Sequence, residues 1–82
     1  MKYEIKFKRR AIKDLADFPQ AKRRLIVSKI EAMKDDLAGD VKRLTNFTPE
    51  YRLRVGVYRV LFEVEAEKIV IYRVKHRREA YL

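Results

Sequence analysis

Three arginines stand close together in a stretch whose other residues predict a β-hairpin. In "YRLRVGVYR", Tyr51 to Arg59, Arg52 and Arg54 precede Gly56 and Arg59 follows it. If the chain reverses at the glycine, Arg59 lies within cross-strand reach of Arg54 or Arg52. Like charges side by side on neighbouring strands destabilise a sheet, so such a cluster needs a counterion or a bound anion. The paired donors of a guanidinium suit the oxygens of a phosphate group.

The overall charge favours the same kind of ligand. The 82-residue chain has 21 Lys and Arg against 12 Asp and Glu, a formal net charge of +9. An excess this large on so small a protein favours a polyanionic partner, nucleic acid or an acidic protein, over a neutral metabolite. Two alternatives need no ligand: the arginines are ordinary solvated charges of a basic protein, or Glu63 on the adjacent strand bridges them.

The composition limits the other classes of function. The chain has no cysteine, which excludes disulfides, thiolate nucleophiles and Cys-ligated zinc. One histidine and scattered acids do not form a metal-ligand pattern, and no Gly-rich phosphate loop is present, so we expect no metal and no cofactor. No apolar run approaches the roughly 18 residues of a membrane span, and the N-terminus lacks the apolar core of a signal peptide. We therefore expect a soluble, cytoplasmic protein with no membrane partner.

The length of the chain predicts one domain over residues 1–82, and hydrophobic periodicity places two helices near its start. "KYEIKFK" alternates as a half-buried strand does. "RRAIKDLADF" spaces its apolar residues as a helix that ends at Pro19. A second helix is predicted from Ala21 to Leu37, with Gly39 as its stop. We interpret its apolar stripe as core: Leu25, Ile26, Ile30, Met33 and Leu37.

The second half of the chain predicts three strands. "DVKRLTNFTPE" has no clean period and is interpreted as a connecting loop. The hairpin "YRLRVGVYRVLFEV" follows, and a polar turn at "EAEK" leads into the strand "IVIYRV". The predicted fold is α+β: a small antiparallel sheet in the order β-α-α-β-β-β, with two N-terminal helices packed on one face. If the helices cover the Leu53 face, pleating puts Arg52 and Arg54 on the opposite, open face.

The hairpin and the tail together resemble the RelE/ParE superfamily of bacterial type II toxins. The resemblance rests on the order of elements, on "YRLRVGVYRVLFEV" and on the closing "YRVKHRREAYL", and it runs over essentially the whole chain. It implies a RelE-like fold and, within the RelE branch, a ribosome-dependent endoribonuclease (an mRNA interferase) that cuts mRNA in the ribosomal A site. It also implies three partners: a cognate antitoxin whose extended or helical tail wraps the toxin, the ribosome and mRNA.

Metal-independent RNA cleavage gives each candidate residue a task. The 2′-OH attacks its own phosphate, so the site must accept that proton, protonate the leaving 5′-oxygen and neutralise the charge on phosphorus. Arg59 and Arg77 lie where ribonuclease members of the family also carry arginine, which implies that they stabilise the transition state. Tyr81 matches the family's closing tyrosine and would stack on a base or exchange a proton, or only pin the tail. His76, the sole imidazole, would exchange protons, cap the last strand or contact ribosomal RNA.

The hairpin arginines depart from the family pattern. Where the best-known ribonuclease members carry lysines, this chain has Arg52 and Arg54, and a guanidinium is a poor proton acceptor. The general base is therefore left open, and so are two other functions. One is a non-catalytic, ParE-like toxin that inhibits DNA gyrase, and the other is an inactive RNA-binding or partner-binding module of the same fold. The predicted catalytic residues are Arg52, Arg54, Arg59, His76, Arg77 and Tyr81.

Overall fold

The fold is a five-stranded sheet with two helices. The computed structural model describes residues 2–81. The strand order is β1-β5-β4-β3-β2; β1 runs parallel to β5, and the other neighbours are antiparallel. This confirms the predicted α+β class. Within residues 2–81, no helix is long and apolar enough to cross a bilayer. The elements are β1 Glu4–Phe7, α1 Arg9–Ala16, α2 Gln20–Ala32, β2 Val41–Arg43, β3 Tyr51–Val55, β4 Tyr58–Glu65 and β5 Lys68–His76.

The core lies between the helices and one face of the sheet. Strands present alternate residues to that face, and each helix presents a stripe. Phe62 at the centre of β4 is completely buried, whereas Ile12 on α1 is 57% exposed and lies outside the core. The main core residues are Ala11 and Leu15 from α1, Ile26 and Ile30 from α2, Met33, Leu53, Val55, Val60, Phe62, Ile69, Ile71 and Val74.

The second helix is shorter than its pattern predicts. It ends at Ala32, and Asp36 and Leu37 beyond it adopt left-handed φ angles of 55° and 59°. Leu25, predicted to be core, is 46% exposed. Gly39 lies well past the helix end, with a φ of 123°. A Cβ atom there would lie 3.0 Å from the Leu53 side chain, so the position favours glycine for both conformation and space.

A short strand, β2, lies where the sequence predicts a loop. It pairs with β3, so that Val41 lies opposite Leu53 and Lys42 opposite Arg52. Three residues are too few to show an alternating pattern, and the strand forms because the edge of β3 supplies its hydrogen bonds. The loop prediction is therefore wrong for Val41–Arg43.

β5 contains a bulge that changes which of its residues face the helices. Phe62 lies opposite Ile71, and the preceding Leu61 lies opposite Arg73, which leaves Tyr72 as an extra residue. An extra residue reverses the alternation of side chains along the rest of the strand. Val74 and His76 therefore lie on the helix-covered face.

The face without helices is not bare, although the sequence predicts an open one. Leu61 and Val70 belong to this face by alternation, and yet they are only 2% and 8% exposed. The side chain of Arg52 beside Leu61 is itself only 14% exposed. The long polar side chains of this face thus border a small apolar centre, which reduces the area open to a ligand.

Candidate functional site on the cationic face of the sheet

Basic residues of neighbouring strands form rows across the face without helices. Arg54 on β3 lies opposite Arg59 on β4, which lies opposite Lys75 on β5. In the next row Lys42 on β2 lies opposite Arg52 on β3. We call these five residues the cationic face. Directly opposed side chains on neighbouring strands have Cβ atoms about 5 Å apart. The predicted proximity of Arg54 and Arg59 is therefore confirmed.

Asp40 supplies the counterion that the arginine cluster needs. Arg52 donates to the Asp40 backbone carbonyl at 2.8 Å and to its carboxylate at 3.2 Å, and Arg54 Nε donates to the same carboxylate at 2.6 Å. The hydrogen bond from Arg52 lowers the pKa of Asp40 most; desolvation opposes it, and the hydrogen bond from Arg54 and both positive charges add to the lowering. The hypothesis that Glu63 bridges the arginines is wrong, because Glu63 accepts the backbone N–H of Glu50 at 3.0 Å.

Arg59 has no such counterion. Its guanidinium donates to the backbone carbonyls of Gly56 at 2.8 Å and Tyr58 at 2.9 Å. Within residues 2–81 no carboxylate lies in salt-bridge distance of it. Neutral carbonyls satisfy donors without cancelling the charge, and charged phosphate oxygens form the stronger hydrogen bonds with guanidinium. Arg59 is thus the residue of the cationic face that is best able to exchange its present partners for an anion.

His76 is not brought to the cationic face. It lies opposite Tyr58 on the helix-covered face, with the two ring centroids 6.1 Å apart. Tyr58 in turn contacts Phe18 after α1, at 4.9 Å between ring centroids. The Nδ1 atom of His76 accepts the backbone N–H of Arg78 at 3.2 Å. These contacts agree with the alternative in which His76 caps the last strand.

Arg77 and Tyr81 lie in the turn that follows β5. The Arg77 N–H donates to the Val57 carbonyl at 2.7 Å, which holds the start of this turn beside the tip of the β3–β4 hairpin. The Tyr81 ring meets Phe47 of the β2–β3 loop edge-on at 5.3 Å. Phe47 therefore holds one side of the Tyr81 ring, in agreement with the alternative in which Tyr81 pins the tail. The ring is 46% exposed, so part of its surface is available for stacking.

Asp14 holds the second half of β5 in place through hydrogen bonds that no pattern in the sequence predicts. Its carboxylate accepts two hydrogen bonds from Arg73, at 2.8 and 3.2 Å, and the Val74 N–H at 2.9 Å. Partial burial alone would raise the pKa of Asp14, but the hydrogen bonds and the charge of Arg73 outweigh burial and lower it. The structurally described residues bring no three acids or histidines together that could hold a metal ion.

Comparison with known proteins defines the family. The family model of the ParE toxin of type II toxin-antitoxin systems, parDE, matches residues 5–81. Toxin RelE3 of Methanocaldococcus jannaschii is 34% identical, and the match covers 95% of this chain and 94% of that protein. The chain therefore belongs to the RelE/ParE superfamily of type II toxin-antitoxin toxins, which confirms the resemblance seen in the sequence.

Two solved complexes share the fold. One is the RelB-RelE antitoxin-toxin complex from Methanococcus jannaschii, with a TM-score of 0.76 and 32% identity over 93% of this chain and 94% of the matched chain. The other is the archaeal RelE-RelB complex from Pyrococcus horikoshii OT3, with a TM-score of 0.76 and 27% identity over 98% of this chain and 100% of that one. The first matched protein was thus crystallised together with an antitoxin and the second together with RelB.

Proposed function

We propose that this toxin is a metal-independent endoribonuclease that acts on the ribosome and cleaves mRNA in the A site. The observation that carries the proposal is the row Arg54–Arg59–Lys75 across three adjacent strands. Three aligned cations repel one another in the free protein. An RNA phosphate in contact with the row would relieve that repulsion, and its charge grows as the 2′-oxygen attacks phosphorus.

Arg59 is the main transition-state stabiliser in this proposal. It would give up the two hairpin carbonyls for two phosphate oxygens, and Arg54 beside it would add a second positive charge. The backbone N–H of Arg77 is hydrogen-bonded to the tip of the same hairpin. From there its side chain would contact the next phosphate of the RNA. Tyr81 would stack on a base near the scissile bond. These tasks need no residue of the helix-covered face.

The proposed partners are the ribosome, mRNA and a cognate antitoxin, with the cytoplasm as the place of action. The solved RelB-RelE complexes support the antitoxin, since toxins of the same fold were crystallised with one. The net charge of +9 supports ribosomal RNA as a binding surface, because lysine and arginine contacts to phosphates release counterions.

Primer extension on translated mRNA tests this proposal. Purified toxin is added to ribosomes that carry an mRNA of known sequence, and new 5′ ends are mapped. We expect breaks within A-site codons with the wild-type protein, and none with a double variant that combines Arg59→Ala and Arg77→Ala. Ribosome-dependent cleavage that persists in the double variant would contradict the proposed site.

Inhibition of DNA gyrase is the second candidate, favoured by the pairing of Asp40 with both Arg52 and Arg54. Because the Asp40 carboxylate neutralises both arginines, they are less able to stabilise the charge of a phosphate. In addition, the matching family model is that of ParE toxins. A supercoiling assay without ribosomes separates the two functions. Loss of gyrase activity there, together with intact mRNA in the ribosome assay, would replace the nuclease proposal with this one.

A further inference from the structure

The proposed reaction needs a proton acceptor, and the predicted site residues on the cationic face do not supply one. A guanidinium does not give up its proton at physiological pH, which excludes Arg52, Arg54 and Arg59. His76 lies on the opposite face beside Tyr58. A lysine amine, by contrast, acts as a general base in many active sites. The cationic face contains two lysines.

We propose that Lys75 is the general base of this toxin, an inference that rests on the proposed nuclease function. Lys75 lies directly opposite Arg59, the arginine that lacks a counterion. Its Nζ atom lies 3.5 Å from the Glu79 carbonyl, in the turn that also carries Arg77 and Tyr81. Lys75 thus stands between the strand with Arg59 and the turn with the other two predicted site residues.

Lys42, the other lysine of the cationic face, is less suited to this role. It lies on the three-residue edge strand β2, opposite Arg52, and is exposed. Lys75 lies on the nine-residue strand β5, paired with Arg59 of β4, and is half-buried. Partial burial restricts a side chain to fewer conformations. A general base needs this restriction, because it must meet the 2′-OH in a fixed geometry.

The charged surroundings of Lys75 come from three elements. Arg59 lies opposite it on β4, and the C-terminal turn contributes Glu79, whose backbone carbonyl accepts the hydrogen bond of Lys75 and which lines the same cleft as Lys75. Lys75 also borders a cleft beside α1, where the charged lining residues of that helix and its end are Arg10, Asp14 and Asp17. Asp14 already binds Arg73 and the Val74 N–H, so its carboxylate is occupied. The residue directly opposite Lys75 on the neighbouring strand is a cation, Arg59.

In the proposed step one proton moves to Lys75 and one phosphodiester bond breaks. The neutral Lys75 amine takes the proton of the 2′-OH and becomes an ammonium. The 2′-oxygen forms a bond to phosphorus, the bond from phosphorus to the 5′-oxygen breaks, and the leaving oxygen takes a proton from water. The products are a 2′,3′-cyclic phosphate and a 5′-hydroxyl end. Lys75 returns its proton to solvent, and no oxidant, reductant or further reactant is needed.

A charge-conserving substitution separates proton transfer from electrostatics. Lys75→Arg keeps the positive charge but removes the amine that exchanges protons. We expect its single-turnover cleavage rate on programmed ribosomes to fall about 100-fold or more, the usual range for loss of a general base, with ribosome binding unchanged. The matched control is Lys68→Arg at the other end of β5, opposite Glu65, which we expect to cleave at the wild-type rate.

The absence of cysteine from the chain allows chemical rescue at this position. Lys75→Cys introduces the only thiol, and 2-bromoethylamine converts that thiol into a lysine-like amine. We expect this treatment to restore cleavage, whereas alkylation with iodoacetamide, which adds a neutral amide, should not. Rescue also shows that the variant is folded, because a misfolded chain does not regain activity from one amine.

The outcomes distinguish this inference from the function on which it rests. Wild-type protein that leaves ribosome-bound mRNA intact would overturn both. Wild-type cleavage together with an equally fast Lys75→Arg variant would overturn the general base alone and leave the nuclease in place. A slow Lys75→Arg variant, with rescue of Lys75→Cys by 2-bromoethylamine only, is the result that we expect.

Discussion

Arg54 and Arg59 lie directly opposite each other on β3 and β4, and only Arg54 binds a carboxylate, that of Asp40. Arg59 donates to two backbone carbonyls instead. Asp40 therefore forms ion pairs with two arginines at one side of the cationic face, Arg52 and Arg54. The neighbouring charge of Arg59 is available to another anion. The charge of Arg54 is thus paired with a carboxylate, and that of Arg59 is balanced only by neutral carbonyls.

Repulsion between these two arginines should be measurable in the free protein. In a double-mutant cycle with Arg54→Gln and Arg59→Gln, we expect an unfavourable coupling free energy of about 0.2–1 kcal/mol. Urea denaturation at low salt gives the free energy of unfolding of each variant, and added salt should reduce the coupling. The control cycle pairs Arg59→Gln with Arg24→Gln on α2 and should show no coupling. A favourable coupling between Arg54 and Arg59 would contradict the account of the row.

Removal of Asp40 should strengthen RNA binding. Asp40→Asn takes away the carboxylate that holds Arg52 and Arg54, so both become available for phosphates. We expect a higher affinity for single-stranded RNA and a salt dependence of log K that is steeper by about 0.7 per added phosphate contact. Fluorescence anisotropy at several salt concentrations measures both quantities.

The matched control for this charge change is Glu65→Gln. It removes the same charge from the exposed end of β4, where Glu65 lies opposite Lys68 and outside both arginine rows. Equal gains in affinity from Asp40→Asn and Glu65→Gln would mean that only net charge matters, contrary to a defined site.

Asp14 should stabilise the fold in a pH-dependent way. We expect Asp14→Asn to lower the free energy of unfolding by about 1–3 kcal/mol at neutral pH, because it weakens the bonds to Arg73 and the Val74 N–H. The pKa of Asp14 is lower in the folded state than in the unfolded chain. Its contribution is therefore fully present above the unfolded value of about 4 and is lost as the pH falls through the lower folded value.

Thermal denaturation of both proteins from neutral to acidic pH checks this sign. The difference between wild type and Asp14→Asn should shrink below about pH 4. Asp17→Asn, at the exposed end of the same helix, is the control and should change stability by less than about 0.5 kcal/mol. A difference that grows toward acidic pH would contradict the assigned direction of the pKa shift.

The hairpin was predictable from the sequence because its signals are local. Alternation of apolar and charged residues fixes the two faces of β3 and β4, and Gly56, with a φ of 56°, permits the two-residue turn. The proximity of Arg54 and Arg59 follows from those two facts. Asp40 could not be found in this way, because its place depends on β2, a strand that exists only through its pairing with β3.

The place of His76 was not predictable because of the bulge at Tyr72. Simple alternation from Ile69 and Ile71 would send Val74 and His76 to the cationic face, and Lys75 to the core face. The extra residue in β5 reverses this order. The bulge brings Lys75 opposite Arg59 and His76 opposite Tyr58. No local residue pattern predicts a bulge at this position. The catalytic roles of the six predicted residues stay predictions.

A turn position offers a test of backbone strain. Ala66, in the polar turn that the sequence predicts between β4 and β5, has a left-handed φ of 56°. This conformation costs an alanine roughly 1–2 kcal/mol, whereas glycine adopts it readily but loses more entropy on folding. We expect Ala66→Gly to raise the free energy of unfolding by up to about 1 kcal/mol, measured by thermal denaturation. Glu67→Gly beside it should bring no gain, and a gain there as large as at Ala66 would contradict this explanation.

Single-turnover cleavage of ribosome-bound mRNA by Arg59→Ala tests the central claim most directly. Arg59→Ala should cleave about 100-fold more slowly than wild type or slower, the usual loss when a transition-state donor is removed. Arg24→Ala, which removes an exposed arginine from α2, should cleave at the wild-type rate. Cleavage by Arg59→Ala at the wild-type rate would show that the cationic face is not where the toxin acts on RNA.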